Sequence, residues 1–390
     1  VNTAYDVVIA GAGLVGLSLA PALSRTGLSV ALVDRGPMAD DEQASETFDA
    51  RIYAISPGSA AFLRALGAWQ GLRCERIAAI ESMHVEGDGG GSLEFSAYDL
   101  GERALAWIVE ERELRSALLR TARRAGVHMI GEATLNALTW SAAAGTLRLT
   151  DGRTLEARLI VGADGARSWV REAAGIVAEP KAYGQTAVVA NFACERAHHG
   201  RAHQWFRADG GVLAWLPLPG RRMSIVWSAP DALAQTLLAE DAETLSARVA
   251  EAGGQALGVL SCITPAIGFP LRFLRLPTSV ALRLALVGDA AHGVHPLAGQ
   301  GVNLGFGDAQ SLSTVLAERG PVNDAGAPIL LERYARRRAE PVLAMQAVTD
   351  GLARLFGPPS PWLKALRNAG ISAVDRLPLL KRALAQPALR

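Results

Sequence analysis

The sequence predicts an α/β protein. A parallel nucleotide-binding sheet carries an inserted, mostly antiparallel β-sheet, and helices close the C-terminal end. Three observations predict this. Near the start, an apolar strand enters a glycine-rich turn and a helix, and a second strand then ends in an acid. Two later apolar strands, at 158–162 and 284–287, also stop at glycine and aspartate and lead towards helices. Between them, from Thr186 to Leu276, the pattern changes to short, aromatic, strand-like runs separated by glycine turns. Alternating strands and helices argue a parallel sheet, whereas a run of short strands argues an antiparallel one.

The first unit spans residues 5–36. Residues 5–10 read as a strand, 11–16 as the turn, and the helix that follows stops at Gly27. Residues 28–33 are the second strand, closed by Asp34 and Arg35. Gly11 permits the tight turn, Gly13 leaves room for a pyrophosphate, and Gly16 lets helix and strand approach. Asp34 stands where an acid meets a ribose. G-x-G-x-x-G between a strand and a helix, with an acid after the next strand, marks a Rossmann-like adenine dinucleotide site.

Residues 37–50 are polar and acidic and read as a mobile loop. After residues 51–56, Ser56 and Pro57 start a helix to Leu66. Residues 76–100 read as strands around the loop 87–91. That loop lacks a strand–helix setting, so it is read as a turn and not as a second nucleotide site. Residues 110–125 form a helix, and 127–130, 133–140 and 147–150 form strands, with Asp151-Gly152 as a hairpin turn. Residues 158–167 are a strand ending in Gly162-Ala-Asp164, with a helix through Val170 and Arg171. In the inserted sheet, residues 188–194, 202–206, 212–218 and 223–227 are strands, and one helix covers 232–252. Trp205, Trp215 and Trp227 either wall an aromatic pocket or pack within the sheet. Residues 284–287 form a strand ending in Gly288-Asp289, followed by a loop with Pro296, Gly299 and Gly301 and a helix from about Asn303 to Glu318. Such a loop offers backbone N–H groups and the positive end of a helix. Residues 330–356 form a further helix. Pro358, Pro359 and Pro361 break the chain before an amphipathic segment with Trp362, Leu366, Ile371, Leu377, Leu379 and Leu380.

With 390 residues, two joined domains are expected. Residues 1–75, 101–180 and 277–345 make the discontinuous nucleotide-binding domain, 76–100 and 181–276 the inserted substrate sheet, and 346–390 a C-terminal helical segment. Half the residues are hydrophobic and 20% are charged, a globular composition. The net charge of +1 hides an asymmetry: residues 331–390 hold 11 basic and 4 acidic residues, and the first 330 hold 28 and 34. A basic tail points to anionic surfaces. No basic stripe with interleaved aromatics is present, so no nucleic acid is expected. Cys74, Cys194 and Cys262 lie far apart, which argues against a disulfide scaffold, a C-x-x-C pair or a metal site. A reducing cytoplasm is the expectation. No signal-peptide pattern precedes the first strand, and no run of ~18 apolar residues is long enough to span a bilayer.

Together these pieces resemble the FAD-dependent aromatic hydroxylases of the p-hydroxybenzoate hydroxylase type. More closely, they resemble the ubiquinone-biosynthesis hydroxylase family. The resemblance rests on 11–16, 51–56 and 110–114, on Gly162-Ala-Asp-Gly165, and on Leu216-Pro-Leu-Pro219. It also rests on 288–292, 295–301 with Asn303, Tyr334 with Arg336-Arg-Arg338, and 375–378. It implies that Gly11, Gly13 and Gly16 hold the FAD pyrophosphate, with Asp34 and Arg35 at the adenosine ribose. It implies that Arg51 and Arg112 contact FAD, that Asp164 serves both FAD and NAD(P)H, and that Asp289 binds the ribityl–pyrophosphate region. Pro296, Gly299, Gln300, Gly301, Val302 and Asn303 would border the flavin ring. Asp34 departs mildly from the family, which often has Glu there, and Gly307 stands where many members carry Arg.

The implied reaction is hydroxylation of a polyprenylated phenol by O2 through a flavin C4a-hydroperoxide, with NAD(P)H as a transient electron donor. His292 and His295 lie near the flavin by motif. For each, fixing the loop and taking part in catalysis are both open, and neither is assigned as acid or base. A membrane surface or a multi-enzyme ubiquinone assembly are the expected partners of the basic tail, placing the chain peripherally at the inner membrane. The oligomeric state is not readable. A flavin disulfide reductase is disfavoured because no paired cysteines follow the first helix, and a halogenase because W-x-W-x-I-P is missing. The alternatives are a FAD-dependent prenyl-lipid reductase and a non-catalytic flavoprotein scaffold.

Overall fold

The structure is a computed structural model that describes residues 2–39, 47–295, 299–320, 324–356 and 361–375, together with 381, 386 and 389. Pro296, Pro358, Pro359, Leu377, Leu379, Leu380, part of the 37–50 loop and part of 375–378 lie outside the described residues.

Among the described residues, the first sheet runs in the order Val280–Ala281, Leu284–Leu286, Thr154–Gly162, Asn2–Ala10, Val30–Val33, His128–Ile130. The five strands from Leu284–Leu286 to His128–Ile130 pair in parallel. A sheet covered on both faces needs strands that are apolar on both. Val7 and Ile9 enter one core with Leu17, Leu118, Phe306 and Leu312, while Val8 and Ala10 enter the other with Leu147, Ile160 and Val170. Leu135–Trp140 and Gly145–Leu149 add antiparallel strands through the hairpin at Gly152.

The second sheet runs His292–Gly293, Ile267–Arg275, Lys181–Cys194, Arg222–Pro230, Val212–Leu218, Arg201–Phe206, Ser82–Glu86, Ser92–Ser96, with Leu260–Cys262 also on Lys181–Cys194. Its pairs are antiparallel except that between Arg201–Phe206 and Ser82–Glu86. Val212–Leu218 has the expected bounds, the other three expected strands are longer than the sequence pattern suggests, and Ile267–Arg275 and Leu260–Cys262 are not singled out by it. A small sheet, Ile52–Ile55, Ala106–Glu110 and Ala78–Ile80, lies beside both.

The two faces of the second sheet differ. Val188, Ala190, Phe192, Leu213, Trp215, Ile225 and Trp227 pack with Leu237, Leu245 and Val249. The last three come from two helices, Asp231–Ala239 and Ala242–Ala252, not from the single helix expected over 232–252. Glu240 is extended (ψ 147°), and Asp241 restarts the helix by accepting the Thr244 N–H at 2.8 Å. Trp215 and Trp227 are therefore core residues beneath these helices, and Trp205 packs against the same cluster. Trp215 and Trp227 do not wall a pocket, whereas half-buried Trp205 lines an open one beside Phe206, Arg207 and the turn at 86–90. That face carries Ala187, Val189, Ala214, Leu216, Val226 and Phe269, which alternate with the core residues.

The C-terminal helices Pro328–Phe356 and Pro361–Asp375 close the molecule. Phe356 stacks on Phe206 at 3.8 Å between ring centroids. The loop 87–91 is a turn, as read, and it receives the last helix. Asn368 Oδ1 accepts the N–H groups of Gly89 and Gly91, both at 3.1 Å, and Arg367 pairs with Asp88. A Cβ at Gly91 would lie 2.4 Å from the Asn368 carbonyl oxygen, so this glycine admits the helix. No helix among the described residues is long and apolar enough to cross a membrane.

Candidate active site

The special stretches meet at the carboxyl ends of the parallel strands. Gly11, at φ +111°, turns the chain where a Cβ would lie 2.3 Å from the Ala163 carbonyl oxygen. A Cβ at Gly16 would lie 2.0 Å from the Gly11 carbonyl oxygen, so the helix Leu14–Ser24 touches its own entry turn. At Gly13 a Cβ would meet nothing within 4 Å. That helix start has no side-chain cap and no acid in its first turn. Its N–H groups and dipole are thus available to an anion. Asp34 braces this turn, with Oδ2 accepting the Ala12 N–H at 2.6 Å and Oδ1 the Gly36 N–H at 2.7 Å. Arg35 is exposed beside it.

The neighbouring loop follows Gly162. Asp164 faces its own helix: Oδ1 accepts from Ser168 Oγ at 2.5 Å and Oδ2 from the Val170 N–H at 3.0 Å. Buried Arg171 ties this loop to the next one, donating to the carbonyls of Ala166 and Ala290, both at 3.0 Å.

The third loop, 288–293, rests on a buried carboxylate. Asp308 Oδ2 accepts the Gly288 N–H at 2.8 Å and His292 Nε2–H at 2.6 Å, and Oδ1 accepts Arg338 Nε–H at 2.6 Å. Burial raises the Asp308 pKa, but the His292 and Arg338 charges and these hydrogen bonds outweigh it and hold it below the usual carboxylate range. Gly307 leaves the space: a Cβ there would sit 3.0 Å from the Arg338 guanidinium. His292 is thus turned into the protein.

Asp289 points the other way. Its side chain is accessible although protein surrounds it, as for a group lining a cleft. Removal from bulk water raises its carboxyl pKa, His292 and Arg51 oppose this, and Asp308 adds to it. Arg51 pairs with Glu111 at 3.1 Å and lies 5.3 Å from the Phe269 ring centroid of the second sheet. Arg112 holds the segment before it, through its backbone N–H to Asp49 Oδ2 (3.3 Å) and its guanidinium to the Thr47 carbonyl (3.2 Å).

The helix after the loop, Gly301–Ala317, also starts without a side-chain cap or an early acid. Gly301 faces open space and Val302 is half-buried. Asn303 pins this start to the 52–56 segment by accepting the Ser56 N–H at 3.0 Å and donating to the Ala54 carbonyl at 2.8 Å. Gly299, at φ +64°, packs against Ala54, and Gln300 is buried. His295 is 1% exposed and its Nε2 lies 2.9 Å from Gln185 Oε1.

The geometry fits a dinucleotide. One uncapped helix start adjoins open space at Gly13 and another at Gly301, and between them Asp289 and Arg51 face a cleft. Sequence reasoning missed the roles of Asp308, Arg338, Arg171 and Gln185. A signal existed for Arg338: it falls four residues after buried Tyr334, on the inward stripe of its helix.

Gly13→Ala and Gly16→Ala separate binding from folding. Gly13→Ala is expected to melt like the parent and lose most of its 450-nm flavin absorbance on purification. Gly16→Ala is expected to lose both stability and flavin. Full flavin retention by Gly13→Ala contradicts this placement of the site.

A family model described as FAD binding domain matches residues 4–349. The ubiquinone hydroxylase UbiL of Rhodospirillum rubrum is 39% identical over 384 residues, 97% of this chain and 87% of that protein. The 3-demethoxyubiquinol 3-hydroxylase of Escherichia coli is 34% identical over 389 residues, 98% of this chain and 97% of that protein. Among solved structures, PqsL of Pseudomonas aeruginosa, in complex with 2-aminobenzoylacetate, is similar with a TM-score of 0.78 and 26% identity, covering 95% of this chain and 99% of that one. With the site geometry, these similarities establish that the chain belongs to the FAD-binding family of ubiquinone-biosynthesis hydroxylases and is a FAD-dependent monooxygenase.

Proposed function

We propose that this enzyme hydroxylates the ring of a prenylated phenol in ubiquinone biosynthesis, using O2 and either NADH or NADPH. One observation carries the substrate assignment beyond the family. The side of the inserted sheet turned away from the tryptophan core carries an apolar row, Ala187, Val189, Ala214, Leu216, Val226 and Phe269, bordered by buried Asn191, Gln204, Ser224 and Ser228, and it is joined directly to the cleft loops. Phe269 meets Arg51, Gln185 meets His295, and Asn191 donates to the Asp49 carbonyl at 2.7 Å. Half-buried Ala214, Leu216 and Val226 continue this surface.

Bound FAD supplies the reduction of O2 and the transfer of one oxygen atom to the ring. The chain's own residues do the rest. Gly11, Gly13 and Gly16 with the first helix start hold the pyrophosphate, and Asp34 and Arg35 meet the adenosine ribose. Asp289 binds sugar hydroxyls, whose O–H groups can donate to its carboxylate, whereas a phosphate would be repelled by it. Arg51 and Arg112 order the strand beside the cofactor, and Asp164 acts through the turn it caps. The helix start at Gly301, Val302 and Asn303 opposes negative charge that develops at the ring end. Apolar residues of the sheet exclude water, which would otherwise divert the reaction to hydrogen peroxide. Segments 1–75, 101–180 and 277–345 serve the cofactor, and 76–100 with 181–276 serve the phenol.

The proposal extends to a membrane surface, where a prenylated substrate resides. The helix Pro328–Phe356 exposes Leu343, Val348 and Leu355 alongside the exposed Arg336 and Arg354. Apolar side chains flanked by arginines suit an anionic interface. The last helix is clamped to the 87–91 turn, so point substitutions test this better than truncation. Flotation with anionic liposomes is expected to carry the parent and to lose Arg336→Glu/Arg354→Glu. Flotation that is absent for the parent, or equal for both, contradicts it.

Labelled dioxygen tests the reaction itself. With prenylated phenols and NAD(P)H, one ¹⁸O atom is expected in the product ring. Saturation of a double bond without O2 uptake would identify a prenyl reductase. No substrate-stimulated turnover would leave a flavoprotein scaffold.

A further inference from the structure

His295 is a buried histidine with one ring nitrogen spoken for and the other not. Gln185 Nε2 donates to the Gly210 carbonyl at 2.9 Å, which fixes the orientation of that amide. Its Oε1 therefore faces His295 Nε2 and accepts from it, so Nε2 carries the proton and Nδ1 carries a lone pair. Nδ1 is buried and has no hydrogen-bond partner. A buried polar atom without a partner is destabilising, and native structures hold few of them.

The surroundings make this acceptor specific. In the chain, His295 follows the edge strand His292–Gly293 of the inserted sheet and precedes the helix that starts at Gly301. Gln185 lies on the same side of its strand as Ala187 and Val189, the side joined to the cleft. Tyr183 meets the imidazole edge-on at 5.0 Å between centroids, and Asp350, paired with Arg354 at 2.9 Å, acts on it electrostatically. Burial lowers the His295 pKa to about 4 against the pull of Asp350, so the ring is neutral at physiological pH.

We propose that His295 Nδ1 accepts the hydrogen bond of the substrate's phenolic hydroxyl, and so sets which ring carbon is presented for hydroxylation. The inference rests on the prenylated-phenol reading above. A neutral imidazole holds the hydroxyl as a donor without taking its proton in the resting complex. Gln185 is the positioning residue, because it selects the tautomer that leaves Nδ1 free.

The test uses the FAD-loaded full chain and two probes, 2-geranylphenol and its methyl ether, titrated by the change in flavin absorbance. The parent is expected to prefer the phenol by about five- to tenfold, the worth of one neutral hydrogen bond. His295→Leu is expected to abolish that preference and leave the ether's affinity unchanged. Gln185→Met keeps His295 but frees the tautomer, and it is expected to reduce the preference two- to threefold, which keeps the test decisive if His295→Leu folds poorly. A preserved preference in either folded variant, or an equal loss of both probes, overturns the inference and leaves the substrate class standing. Absence of binding of both probes by the parent overturns the prenylated-phenol reading itself, and this inference with it.

Discussion

A single carboxylate organises the loop of this enzyme that carries Asp289. Asp308 is 1% exposed and joins three elements that are distant in sequence: the loop 288–293, its own helix, and the helix Pro328–Phe356. A buried charge costs several kcal/mol unless it is paired and hydrogen-bonded. This one is satisfied by two N–H donors and a guanidinium, so only one arrangement of the three elements is tolerable. Its folded pKa lies below the ordinary value, so its contribution to stability is complete above the usual carboxylate range. That contribution is lost as the pH falls through the folded value.

The rest of the site inherits this geometry. The Gly288 N–H, held by Asp308, sets the direction of Asp289 into the cleft. A Cβ at Gly305 would lie 2.4 Å from a Val15 methyl, so the helix Gly301–Ala317 packs directly on the helix that starts at Gly13. Tyr334 donates to the Leu286 carbonyl at 2.9 Å and seats the helix bearing Arg338 on the strand that feeds the loop. The two uncapped helix starts are thereby held in fixed relation, as an extended dinucleotide requires. The charge network acts at the proposed flavin end, and glycine packing acts at the proposed adenosine end.

Much of this was legible in the sequence because its signals are local. The glycine spacing at 11–16, the Gly-Asp strand ends and the hairpin at Asp151-Gly152 each dictate a turn within a few residues. The partners of Asp308, the docking of Asn368 on the 87–91 turn, and the Gln185–His295 link join positions 16 to 280 residues apart. No local pattern encodes them. The sheet tryptophans illustrate another limit: alternation shows that a strand has two faces, but not which one meets the helices and which the cleft. The break at Glu240 was readable in principle, since Asp241 is a good helix cap, but the apolar periodicity runs across it. His292 and His295 look equivalent in the motif. The structure separates them: His292 is bound to Asp308, and His295 keeps an unpaired nitrogen.

The most direct test of this account is the FAD dissociation constant of Arg338→Met, compared with the surface control Arg336→Met. Removing one partner of a buried pair costs about 3–5 kcal/mol, spent here on the loop that holds Asp289. The account predicts that Arg338→Met binds FAD at least tenfold more weakly, while Arg336→Met matches the parent. Parent-like FAD affinity in a folded Arg338→Met would contradict it.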